Sequence, residues 1–373
     1  MYKLILAVIV SAIVSPAMVF ASSEGEEHVD GHEGPHKPWS EMSDEEKREE
    51  IKGDIEHHVQ DAYEFVLFSS ERDHKSYGFG LPVILWDDGF HFFSGGAFEH
   101  GKAVVESNGK YYKLYHNKIY EVDGADGEII KDKNKKVTNA TPIDMSITKN
   151  VFSSILIAIV IFLIFRGVAK AYRNSLSPSR SAKFFEPLII FVRDEIAKPN
   201  IGEKYYARYM PYLLTVFFFI WIVNLFGLTP LGINVTGNIA VTACLALITF
   251  IITQVSGKKD YWMHIFWMPG VPVPMKIILA PIELLGVFIK PFALMIRLYA
   301  NILAGHIVLM SLIALIFLFD NWFARGAFFS LSFLLSIIEL LVAFLQAYIF
   351  TMLTALYFGS AVEEHDHDHA HAH

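Results

Sequence analysis

Five polar side chains stand in two apolar stretches where lipid-facing residues are the norm. The longest apolar run, Pro291–Phe319, carries Arg297, Asn301 and His306. A second run, Ala327–Tyr357, carries Glu339 and Gln346. A guanidinium stays charged at any cellular pH, and at mid-bilayer it costs about 2.5–3.5 kcal/mol on insertion scales. Arg297 and Asn301 are four residues apart and share a helix face. Arg297 and His306 are nine apart, which places them on roughly opposite faces and about 13 Å apart along a helix. Glu339 and Gln346 are seven apart and share a face. An imidazole titrates near neutral pH, so a histidine and a carboxylate on neighbouring helices can bind water and pass protons beside a fixed cation. Glu283 and Lys290 extend the polar series upstream of the Pro291–Phe319 run, within the span Met275–Phe319, where the lysine stem can snorkel to an interface. The structural alternative is an intramembrane ion pair that only fixes helix packing. Five such groups on two overlong helices favour a polar pathway.

The elements that must position these groups follow from hydropathy. The chain has 373 residues and is 53% hydrophobic, with the long apolar runs concentrated in residues 150–360. Candidate spans are Ile147–Phe165, Tyr209–Leu228, Asn238–Val255, Met275–Phe319 and Ala327–Tyr357. The fourth would run about 67 Å as one helix, more than twice the hydrocarbon thickness, so the last two spans must tilt, kink or lie partly along the surface. Pro281 and Pro291 mark where a kink can fall. Phe184–Ile196 reads as a short amphipathic helix in the interface.

Lys and Arg cluster after the first span (Arg166, Lys170, Arg173, Arg180, Lys183), while the loop Thr229–Gly237 has none. The positive-inside rule then puts the N-terminal region outside and the C-terminus in the cytoplasm. Residues 1–21 read as a signal peptide, with Lys3 at the start and the small-x-small pattern Val19-Phe20-Ala21 at the end.

The domain plan expected is a signal peptide (1–21), an exported α+β domain with a disordered His/Glu-rich leader (22–145), a membrane channel domain (146–360) and a His-rich cytoplasmic tail (361–373). Within the exported part, Ser43 is a helix cap, and the apolar side of its helix is read through Ile51, Ile55, Val59 and Phe65. Strand signals over residues 75–125 predict one small antiparallel sheet, with Asn108-Gly109 as a two-residue hairpin turn. The fold class expected is therefore an all-α polytopic membrane protein of five spans plus an interfacial helix, carrying a small exported α+β domain. The formal charge of −8 comes largely from the N-terminal third and gives no ground for nucleic acid binding. The single cysteine, Cys244, excludes an intrachain disulfide. The histidines of the leader and tail lack the spacing of a metal cage.

The stretch from Lys290 through Arg297 and Asn301 to Gly305-His306 resembles the signature of subunit a of F-type ATP synthases, of the bacterial type with an enlarged exported domain. Leu345–Phe350 with Leu353–Tyr357 is similar to the last helix of that family, and Asn224–Pro230 and Thr236–Thr242 are similar to its second and third spans. The resemblance covers roughly residues 145–360 and implies a proton-translocating stator subunit in the inner membrane of a bacterial cell. It implies that Arg297 faces membrane carboxylates on a ring of c subunits and separates two offset half-channels. It also implies that His306, Glu339, Gln346, Asn301 and Asn224 line or border the exported-side half-channel. In some relatives the His306 and Glu339 positions hold Glu and His, exchanged. The implied partners are c-ring subunits, b subunits of the peripheral stalk, other ATP synthase subunits and lipid, with no cofactor. A phosphate-cradling GxxxxGKT loop is absent, so ATP chemistry falls to partner subunits. The competing reading is a secondary ion transporter, but no repeat relates the two halves. No HExxH motif supports an intramembrane metalloprotease.

Overall fold

A computed structural model describes residues 43–70, 75–101, 103–132, 137–174, 180–229, 233–267, 272–319 and 321–363. The expected signal peptide, the leader histidines His28, His32 and His36 and the tail from residue 364 lie outside the described residues.

The described part begins with helix α1 (Asp44–Val59). Its start is a reciprocal capping box: the Ser43 amide donates to Glu46 Oε2 at 2.8 Å, and the Glu46 amide donates to Ser43 Oγ at 3.3 Å. The helix stops at Val59, so Phe65 does not continue its apolar side. It belongs instead to strand β1 (Glu64–Ser70), a run rich in Phe and Val that favours an extended chain. Strand β2 (Lys75–Gly80) pairs with β1. Strand β3 (Pro82–Trp86) lies between β4 (Phe90–Ser94) and β8 (Ile143–Asp144), while β5 (Val104–Ser107), β6 (Lys110–Tyr115) and β7 (Lys118–Val122) form a meander.

The expected single sheet is thus three small antiparallel sheets. A 3₁₀ turn at Gly95–Gly101 redirects the chain between the second and third. Gly80 and Gly95 permit this close approach, because a Cβ on either would fall within 2.3 Å of a neighbouring atom. The Asn108-Gly109 turn joins β5 to β6 with φ of 52° and 81°, as a type I′ hairpin demands. Tyr63, Val83, Leu85, Phe98, Tyr112 and Ile119 form the core beneath the sheets.

The segment after β8 stitches this domain to the helical part. The amides of Met145, Ile147 and Lys149 donate to the carbonyls of Ile84, Pro82 and Ala62 at 2.9, 3.1 and 2.8 Å. Helix α2 (Lys149–Asn174) then starts without a break. Its Phe152 meets Phe65 and Phe79 edge-on at 5.5 and 5.6 Å, closing an aromatic triad across the junction.

The remaining elements are helical. Helix α3 (Arg180–Phe191) passes into a π turn (Val192–Ala197) and the short α4 (Lys198–Ile201). Then follow α5 (Tyr206–Gly227), α6 (Ile239–Ser256), α7 (Lys259–Phe266), α8 (Val273–Leu318) and α9 (Trp322–Val362). Five described helices, α2, α5, α6, α8 and α9, are long and apolar enough to cross a membrane. Helix α2 is longer than its apolar run because Arg166, Lys170 and Arg173 continue it. Helix α8 keeps helical structure through Pro281 and Pro291 over 46 residues, about 69 Å. Helix α7 was not expected, being too short and polar for a span.

Helix α5 is the hub. Its Leu213, Phe217, Phe218 and Ile220 are fully buried. Helix α8 is the opposite case, with 6% of its most apolar window buried against 56% for α5. Helix α9 packs along α8, α5 and α6 and is clasped at its end by α4. The clasp depends on Gly359, where a Cβ would lie 1.9 Å from the Asn200 carbonyl oxygen. Phe358 stacks on Tyr209 beside it at 4.7 Å between ring centroids. Because the obstacle is backbone, Gly359→Ala is expected to destabilise the bundle by about 1–3 kcal/mol, read as earlier thermal unfolding of the detergent-solubilised protein.

Candidate functional site

Helix α8 buries one stripe of four residues at helical spacing, Val287, Leu294, Leu298 and Ile302. Arg297 and Asn301 project from an exposed surface together with the small residues Ala293, Ala300 and Ala304. Arg297 makes no hydrogen bond or ion pair to any described residue. Lys290 Nζ, two turns earlier on α8, stands 5.9 Å from the centre of the Tyr357 ring of α9.

His306 is turned away from that surface and is half-buried. A Cβ on Gly227, the last residue of α5, would lie 3.2 Å from His306 Nε2. The imidazole reaches the end of α5 because that position has no side chain. Gly305 does the same for the carboxylate: a Cβ there would lie 2.8 Å from Glu339 Oε1. Adjacent residues of α8 thus bring the imidazole and the carboxylate into one region. Glu339 is 8% exposed and its Oε2 has no hydrogen-bond partner among the described residues. Gln346 is buried one heptad further on, and Ser332 is buried one heptad before. Ser332 escaped notice in the sequence, although its spacing from Glu339 equals that from Glu339 to Gln346.

Asn224 sits one turn before Gly227 and is buried. Its Oδ1 accepts a hydrogen bond from Thr236 Oγ1 at 2.7 Å. Asn234 Oδ1 accepts from the Gly237 amide at 3.1 Å, and Asn238 caps α6 by accepting from the Ala240 amide at 2.9 Å. The side-chain amide nitrogens of Asn224 and Asn234 are buried without a partner among the described residues. Buried polar atoms in this state are natural ligands for ordered water. Asn234 and Thr236 were not singled out from the sequence, since a polar residue in a Gly-rich loop reads as turn chemistry.

At the opposite end of the bundle, Glu283 and Lys290 line a cavity of about 320 Å³ together with Asp260, His264, Ser360 and Glu363. A smaller cavity shares Lys290 and Ser360 with it and reaches Tyr357. Tyr261 of α7 borders both. Burial pushes its phenol up, a hydrogen bond with Gln254 opposes that, and the Glu283 charge adds to the rise. The structure thus places Asn224, His306, Glu339 and Gln346 inside the bundle, Glu283 and Lys290 at the far cavity, and Arg297 and Asn301 on the surface of α8 between the two. Among the described residues, no three His, Cys, Asp or Glu side chains converge as a metal site.

Five long apolar helices with ionisable groups held between them define a helical membrane protein. Residues 151–359 match the family model of the ATP synthase A chain, more than half of this sequence, and the chain belongs to that family. It is 44% identical over 229 residues to ATP synthase subunit a of Chloroherpeton thalassium, which covers 60% of this chain and 68% of the relative. It is 46% identical over 235 residues to ATP synthase subunit a of Chlorobium phaeobacteroides strain BS1, with shares of 60% and 68%. Against ATP synthase subunit a of an Anaeromyxobacter species the identity is 44% over 232 residues, with shares of 60% and 56%. Residues 54–145 match a separate model described as a domain of unknown function, DUF8433.

Gly305→Ala meets the flexible end of a side chain rather than backbone. It is therefore expected to displace the Glu339 carboxylate with little change in stability. Mass spectrometry of carbodiimide labelling at Glu339 should show an altered rate, with an unshifted melting curve.

Proposed function

We propose that this chain is the proton-translocating stator subunit of the membrane sector of a rotary ATP synthase. The observation that carries this beyond family membership is Arg297: a permanent cation on an exposed face of α8, with no anion beside it among the described residues. A rotor carboxylate passing at about 4 Å would interact with it by about 4 kcal/mol at an effective dielectric of 20. That is enough to favour release of its proton about a thousandfold. The same charge repels a proton attempting to cross directly, so the two aqueous paths stay separate.

In this reading the exported-side path runs past Asn224 to His306 and Glu339, bordered by Gln346 and Asn301. The cytoplasmic path is the cavity lined by Glu283 and Lys290. A proton arriving from outside passes through the imidazole and carboxylate to a c-subunit carboxylate, which turns into the lipid in neutral form. After nearly a full turn it meets the cytoplasmic path, loses the proton and faces Arg297 as an anion. The small side chains Ala293, Ala300 and Ala304 leave room for a rotor helix to pass close to this face.

The chain crosses the inner membrane five times, with residues 22–145 outside, α3 in the cytoplasmic interface and the C-terminus inside. This orientation is supported by the cationic segment after α2 and by the uncharged loop 229–237. The c-ring and the b subunits of the peripheral stalk are its partners, and ATP is made by other subunits. A secondary transporter is not supported by the family to which the chain belongs.

In proteoliposomes holding the whole synthase, Arg297→Ala should abolish ATP synthesis driven by a proton gradient while ATP hydrolysis by the catalytic head persists. Coupled synthesis surviving that change would overturn the proposal. The two titratable groups are tested by exchange: His306→Glu with Glu339→His should restore more proton flux than either single change, and equal loss in all three variants would break their pairing.

A further inference from the structure

Asp61 lies between α1 and β1, within the domain of unknown function, and is half-buried. Its carboxylate nevertheless touches two helices of the membrane part. Oδ1 accepts from the amides of Ala62 and Asn150, each at 3.0 Å, the second at the first turn of α2. A helix N-terminus favours an anion there. The Thr148 side chain also hydrogen-bonds the carboxylate. Oδ2 faces the Nδ2 amide of Asn238 at 3.4 Å, which is the cap of α6.

Asn238 opens a polar series that runs inward. Asn234 and Thr236 precede it in the same loop, Thr236 bonds Asn224, and Gly227, one turn beyond Asn224, abuts His306. Asn224 and Asn234 are each 5% exposed, and each holds a side-chain amide nitrogen with no partner among the described residues. The loop 229–237 contains no acidic or basic residue. A series of amides can hold water but cannot by itself take up a proton. The carboxylate at its outer end can.

We propose that Asp61 is the proton-capturing acid at the outer mouth of the exported-side half-channel, so that the N-terminal domain completes the path rather than decorating it. This rests on the stator function proposed above. The step is proton transfer alone: hydronium from the exported side gives its proton to the Asp61 carboxylate, leaving water. The resulting acid then passes that proton to water held by the Asn238, Asn234 and Asn224 amides, restoring the carboxylate. Burial raises the affinity of Asp61 for a proton; the hydrogen bonds from Thr148, Asn150 and Ala62 and the Lys149 charge oppose this. Among the described residues, the groups facing it are Lys149 of α2 and Tyr63, whose hydroxyl donates to Asp144. No charged residue faces it from the 233–238 loop.

The test is gradient-driven ATP synthesis by the whole complex in proteoliposomes, followed against exported-side pH at a fixed pH difference. Asp61→Asn should lower turnover per assembled complex about tenfold at neutral exported-side pH, with recovery as that side is acidified, while Asp61→Glu stays near wild type. A loss of assembled complex with unchanged turnover and pH profile would make Asp61 a structural clamp only and overturn the proposal. Asn238→Ser keeps a cap for α6 and leaves the α2 contacts of Asp61 intact. It should reproduce the shifted profile, and an unshifted profile overturns the proposal even if Asp61→Asn fails to assemble. Arg297→Ala in the same vesicles separates the two levels. Synthesis that survives Arg297→Ala refutes the stator reading; synthesis that needs Arg297 but ignores Asp61 and Asn238 refutes this inference alone.

Discussion

A permanent charge on an apolar helix, with no ion-pair partner among the described residues, is the constraint around which the helices are placed. Within a folded chain the usual remedy is a carboxylate of the same protein, and breaking such a pair leaves a penalty of several kcal/mol. Here α8 offers Arg297 no such anion and turns it outward. The rest of the bundle is arranged so that this face can stay open. Helix α5 carries the buried aromatic mass, α8 buries the narrow stripe of Val287, Leu294, Leu298 and Ile302, and α9 is anchored at its far end by the Gly359 clasp. A helix that gave more of its surface to its own bundle would not leave this cation exposed.

The titratable pair depends on missing side chains. His306 and Glu339 belong to different helices, and a Cβ on Gly227 or Gly305 would crowd the imidazole or displace the carboxylate. The two glycines mark points where polar groups press against backbone. The same economy appears on α9, where Ser332, Glu339 and Gln346 recur at heptad spacing and remain buried among apolar neighbours. A heptad row keeps these groups on one side of a helix that leaves Phe333, Leu334, Ile338 and Leu341 exposed on another.

Local signals in the sequence carried far. Hydropathy located the long helices to within a few residues at most ends, Ser43 announced a cap that forms as a capping box with Glu46, and Asn108-Gly109 announced a hairpin with both residues at positive φ. The opposed faces of Arg297 and His306 followed from helical periodicity alone. What failed was non-local. The division into three sheets depends on how the chain turns at Gly80 and Gly95, and Phe65 was assigned to a helix because its apolar character fits either period. The involvement of Asp61 was invisible, since its partners Asn150 and Asn238 are 89 and 177 residues away. The orphan amides of Asn224 and Asn234 show only when burial is known.

The N-terminal domain is joined to the bundle too firmly for a tethered module. Three backbone hydrogen bonds run from residues 145–149 into the domain, the Phe65–Phe79–Phe152 triad seals the same junction, and Asp61 ties it to the starts of α2 and α6. Helix α1 also packs against α8, the helix that bears Arg297. The backbone bonds and the Asp61 contacts meet at the starts of α2 and α6, beside Asn238. A receptor domain that worked by moving would have to break all of them together. A domain that holds the starts of α2 and α6 in register would keep all of them, and the structure has that set of contacts.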